Sequence, residues 1–144
     1  MAENLSEGRL ALGGAIKKGN FKTAALAVVD LTTNSLEFSK LFKGANGITA
    51  VAQSPTDTLN VVALATQTFA HTKPKTFILE FSPSGDLIRE PIAMSMQAFS
   101  GRGNVALSRA SLLFDRDSNF VVAFGHENHK LMSQVSVHSA DERH

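Results

Sequence analysis

Residues 48–90 do most to limit what this chain can become. Two polar turns, Ser54-Pro55-Thr56-Asp57 and Ser82-Pro83-Ser84-Gly85-Asp86, each sit between runs rich in Val, Ile, Leu, Phe and Thr. Short β-branched and aromatic runs bounded by Ser, Pro, Gly and Asp are the pattern of hairpins in tandem. The flanking sequence repeats the pattern imperfectly. Residues 23–39 match 76–91: an apolar strand, a small polar turn, then a Leu-containing amphipathic strand. Residues 48–69 match 111–125: an apolar strand, a turn with Asp and Ser or Thr, then a Val-Val strand. The period of roughly 50–60 residues is that of a repeat architecture.

In chain order, residues 1–8 read as a polar tail or cap and 9–16 as a strand weakened by Gly13 and Gly14. Residues 23–30 form an apolar run of buried-strand length with no polar positions to make a wet face, although its alanines also permit a helix. Leu36, Phe38, Leu41 and Phe42 mark a half-buried partner strand. Residues 94–109 have no clear period and read as a long loop that has room for a short strand. The alternation in 130–137 fits an outer strand, and 139–144 is a polar tail. Val61, Phe77, Leu79 and Phe81 are expected in the core, with Phe114, Val122 and Phe124. The expectation is a single all-β domain.

Composition narrows the function. Ten Phe with no Trp and no Tyr give aromatic bulk without polar tips, which disfavours sugar-stacking platforms and Trp/Tyr hot spots. A net charge of +1 with dispersed Lys and Arg argues against nucleic acid as a partner; the densest group is Lys17, Lys18 and Lys22. No apolar run approaches the ~18 residues of a membrane-spanning helix. Zero Cys excludes disulfides, thiol catalysis and Cys-based zinc sites. The acidic, polar start is not a signal peptide, which makes a cytoplasmic location the default expectation.

Phe114-Asp115-Arg116-Asp117-Ser118-Asn119, followed by Phe120-Val121-Val122-Ala123-Phe124-Gly125, resembles the repeat signature of β-propeller blades of the NHL and bacterial seven-bladed types. Residues 77–88 are similar to the hairpin that follows it in those repeats. The resemblance implies four-stranded antiparallel blades around a channel. This chain holds about two and a half such units, whereas a closed ring uses about four to eight. An up-and-down β-barrel or a β-sandwich is the alternative for this length.

Candidate sites are sparse. His126 and His129 flank Glu127-Asn128, yet zinc needs three or four ligands and a polar loop explains the cluster as well. Asp115, Asp117 and Asn119 open like a calcium loop but meet Phe120 and His126 where such loops want Gly and Glu. Arg102, between Gly101 and Gly103, could add charge to a backbone nest for an anion. Asp30, Glu80 and Asp115 are the acids available to a channel metal of the kind propeller hydrolases use. No cofactor is expected. The residues point to a non-enzymatic protein-interaction or assembly module, pairing with a protein partner or with itself through open edges at 9–16 and 130–137. The alternatives are a metal-dependent hydrolase of the propeller type and a β-barrel carrier of an apolar ligand.

Overall fold

A computed structural model describes residues 1–67, 75–93, 110–114, 117, 120–128 and 130–138, the last three strands through their backbone. The protein is all-β and antiparallel, with no α-helix among the described residues. Strands β1 (Ala2–Asn4), β2 (Arg9–Lys18), β3 (Phe21–Asp30) and β4 (Ser35–Phe42) form the first sheet in that order. Strands β5 (Gly47–Gln53), β6 (Val61–Gln67), β7 (Lys75–Phe81) and β8 (Ile92–Ala93) form the second. In the third, β10 (Phe120–Asn128) lies between β9 (Ala110–Phe114) and β11 (Lys130–His138). Each sheet is a meander whose strands follow one another in sequence. Neither four-stranded sheet closes on itself, which fits open blade-like units and excludes closure of either sheet into a barrel.

The turns explain the order. Gly19, at φ +61°, leads the two-residue connection between β2 and β3, where a positive φ at the first central position suits the twist of a hairpin. Asp30 accepts hydrogen bonds from the Thr32 N–H and hydroxyl and from the Thr33 N–H, shaping the β3–β4 turn. The Ser54–Asp57 turn joins β5 to β6 as expected. Ser82 N–H donates to the Asp86 carbonyl, closing the other polar turn.

The first two sheets pack face to face, most closely where β5 crosses β2. Small side chains line that crossing: Ala11 is buried, and a Cβ on Gly13 would stand 2.7 Å from Ile48 Cγ2. Away from it the residues grow, through Leu26 and Val28 on β3 and Val61 and Ala63 on β6, to Phe38 and Phe42 on β4 against Leu79 and Phe81 on β7. The Phe81 ring lies 5.1 Å from Phe42 and 6.2 Å from Phe38, centroid to centroid. Small residues at one end and aromatics at the other fill a wedge, as two splayed twisted sheets require. A bulge in the β3–β4 ladder leaves Glu37 without an opposite residue, and its carboxylate forks onto buried Arg9 at 2.8–3.1 Å. Arg9 also donates to the Thr58 and Leu59 carbonyls, so one cation ties the first sheet to the β5–β6 turn.

Several expectations change. Residues 1–8 are not merely a tail: β1 pairs with β2, Ala2 opposite Leu12 and Asn4 opposite Leu10, and a short turn at Ser6–Gly8 follows. Residues 10–12 therefore are not an edge, because β1 flanks them; from Gly14 to Lys18 β2 has no partner on that side among the described residues, and β4 is the sheet's other edge. The strand expected straight after Asp86 is delayed to Ile92, because Leu87 makes only an isolated bridge to Phe81. Val61, Leu79 and Phe81 are buried and Phe77 is half-buried. The side chains of Phe114, Val122 and Phe124 lie outside the described residues, as do the segments 94–109 and 139–144.

Candidate interaction face

Along β2 the side chains alternate, with Arg9, Ala11 and Gly13 facing the second sheet and Leu10, Leu12, Gly14 and Ile16 facing away from it. The ladders extend that outer face to Ala25, Ala27 and Val29 on β3 and to Leu36, Ser39 and Leu41 on β4. Between the levels of Leu10 and Ile16 these positions carry no charge. Leu12 is 41% exposed, Ile16 51% and Leu41 58%, well above what a covered sheet face shows. Because Gly14, Ala25 and Ala27 are small, the centre sinks into an open depression of about 560 Å³ walled by Leu12, Ile16 and Leu41. Beyond the last β4 pairing the β2–β3 hairpin continues as a two-stranded arm, with Phe21 79% exposed opposite Lys18.

Lys17, Lys18 and Lys22 sit on the arm, all exposed. By register Glu3 (opposite Ala11), Asp30 (opposite Arg9) and the Lys17–Lys22 pair fall on the inner side of the sheet, and Lys18 shares the outer side with Ile16. The Thr32 hydroxyl, then the Thr32 N–H, hold the Asp30 carboxyl below its ordinary value, so it stays ionised. The ion pairs among the described residues, Arg9–Glu37 and Arg89–Glu80, lie elsewhere.

The residues singled out from sequence do not assemble a site. His126 falls within β10 opposite Met132, and Glu127 and Asn128 continue the ladder opposite Leu131 and Lys130. The expected polar loop at 126–128 is thus strand, because the β10–β11 ladder continues to the Asn128–Lys130 pair. Asp117 is an exposed turn residue between β9 and β10. His129, Asp115 and Arg102 lie outside the described residues. Asp30 shapes a turn. Glu80 is buried, accepting from the Ser54 hydroxyl at 2.8 Å and pairing with Arg89 at 2.8 Å, which fits a structural tie between the β5–β6 and β7–β8 connections. Among the described residues no three His, Asp or Glu converge as metal ligands, and no helix is long and apolar enough to cross a membrane.

Comparison with family models, curated proteins and solved structures returns no match. The outer face was missed from sequence although a signal for it exists. Residues 24–29 are apolar at every position, the pattern of a strand covered on both sides, and the structure covers one.

Proposed function

We propose that the chain is a non-enzymatic protein-interaction and assembly module of stacked, propeller-like β-sheets, and that the outer face of the first sheet is its contact surface. The observation that carries this reading is the largely apolar outer face of β2, β3 and β4, with Leu12, Ile16 and Leu41 open to solvent. Contiguous exposed apolar patches of several hundred Å² mark contact sites rather than ordinary surface. A carrier of small apolar ligands would enclose its cargo, burying most of its surface; the depression here is open.

The chain has no cysteine, so an introduced one is unique. Leu41→Cys and Ser84→Cys, each carrying a photo-crosslinker on the thiol, place the probe on the face and on an exposed polar turn. Crosslinks from position 41 to a polypeptide, of this chain or another, are expected, with few from position 84. Equal, background-level yields from both would overturn the reading.

A further inference from the structure

We infer that the β2–β3 arm attaches the protein to an anionic lipid surface, its tip entering the headgroup layer with Phe21 foremost. This goes beyond the interaction-module reading and uses a different part of the molecule. Past the last β4 pairing the arm runs three rungs, about 10 Å at strand rise, to the Gly19-Asn20 turn. Every residue from Ile16 to Lys22 is exposed. Phe21, beside the turn, is the most exposed large apolar residue among those described, and Ile16 stands behind it on the same side of the arm. A phenyl ring has no polar atom to present to water. At the tip of a projecting hairpin it is placed to enter an apolar medium.

The charges around the tip fit that partner. Lys18 lies opposite Phe21, and Lys17 lies directly opposite Lys22. Like charges facing across a ladder repel, and none of these lysines makes an ion pair among the described residues. The acid nearest along β2 is Glu3, opposite Ala11, six residues or about 20 Å from Lys17. That is beyond the ~10 Å over which salt lets charges act. A negative surface on both sides of the tip relieves the repulsion. Lys43, one residue past the end of β4, is exposed and adds a fourth cation where the arm leaves the sheet. All four are lysines, compact charges that suit a diffuse negative layer, whereas the arginine fork suits one defined carboxylate or phosphate. Their long stems let the ammonium groups stay among the headgroups while the ring lies deeper. A protein partner is disfavoured by size, because three rungs of two strands offer far less than the roughly 800 Å² of a standard interface. Attachment to a lipid surface follows apolar area and charge, and needs no spanning segment.

The chain has no Trp, so Phe21→Trp makes a single fluorophore at the tip, and Ser84→Trp makes one on an exposed turn elsewhere. The full chain carrying either change is mixed with vesicles of phosphatidylcholine, with and without phosphatidylserine, at low salt, where the attraction is least screened. With the anionic vesicles alone, the Phe21→Trp emission should move to shorter wavelength and be quenched by brominated lipid, while the Ser84→Trp emission stays that of water. Adding Lys17→Gln/Lys22→Gln should lower partitioning about 25-fold, since each lysine near an anionic surface contributes about fivefold. In the otherwise unaltered chain, Phe21→Ser should weaken co-sedimentation with the vesicles without changing the charge. All these positions are exposed, so folding should survive, and circular dichroism with a melting curve checks it. Failure to bind anionic vesicles, equal binding to neutral ones, or indifference to the lysine changes would overturn the inference. So would a tip fluorophore that stays in water when the chain binds, or one that answers to soluble polyglutamate as it does to vesicles, which would assign the arm to an acidic protein. Crosslinking from position 41 is read without vesicles, so this inference and the interaction-module reading fail separately.

Discussion

Strands β3 and β6 occupy the third and second places of neighbouring sheets, and both are apolar at nearly every position. Their surroundings differ. In β6, Val61 through Ala65 are all buried: Val61, Ala63 and Ala65 against the first sheet, and Val62 and Leu64 on the opposite face with Ala50, Ile78 and Ile92. In β3, Ala24, Leu26 and Val28 are buried while Ala25, Ala27 and Val29 are only half-covered. The second sheet is flanked on both sides, with the third approaching it through β9 beside β5. Among the described residues, the first has one neighbour. The same composition in a two-sided and a one-sided setting teaches that the first sheet is built for a further layer.

The largest effect should come from the wide end of the wedge. Phe81→Ala removes the ring that both Phe38 and Phe42 touch and should cost about 3–5 kcal/mol in urea unfolding. A loss below about 1 kcal/mol would mean that the two sheets do not share this core. Next come matched leucines on the two contrasted faces. Leu64→Ala, fully buried on the second sheet, should cost about 2–4 kcal/mol. Leu12→Ala, on the open face, should cost under about 0.5 kcal/mol in dilute protein. Equal costs would erase the distinction between the faces.

The two faces of β2 allow a subtler version. Gly13→Ala places a methyl 2.7 Å from Ile48 Cγ2 and should cost about 1–3 kcal/mol. At Gly14 a Cβ meets nothing within 4 Å, so Gly14→Ala should instead stabilise by about 0.4–1 kcal/mol. Melting curves read both signs, and a stabilising Gly13→Ala would show that the sheets are not in close contact there.

The smallest effect belongs to Asp30. Its folded carboxyl titrates below the ordinary value of 3.8, chiefly through the Thr32 hydroxyl. The stabilisation it supplies is therefore fully present above that pH and is lost as pH falls through the lower folded value. Asp30→Asn should flatten this acid limb of the melting temperature against pH. An unchanged limb would remove Asp30 from the account of the β3–β4 turn.

Much of the fold was legible because turn chemistry and strand composition agreed. Ser54-Pro55-Thr56-Asp57 and the 115–119 segment do join paired strands, β5 to β6 and β9 to β10. Strand β1 was hidden because it is held by backbone pairing alone, and all three of its side chains are exposed. The strand expected at 87–90 was displaced because Arg89 reaches back to buried Glu80 and Ile88 N–H donates to the Glu80 carbonyl, which turns the chain before β8. The contact face was illegible for a different reason. An all-apolar run states that both sides should be dry, but not whether this chain or another dries them.

That question is answered most directly by the alkylation rate of a single cysteine at position 41. Leu41→Cys and Ser84→Cys are to be compared in the purified, dilute chain and in intact cells that produce it. The account predicts similar rates at both positions in the dilute protein, and a marked slowing at 41 but not at 84 inside the cell. Rates at position 41 that are the same in both settings, relative to position 84, would contradict it.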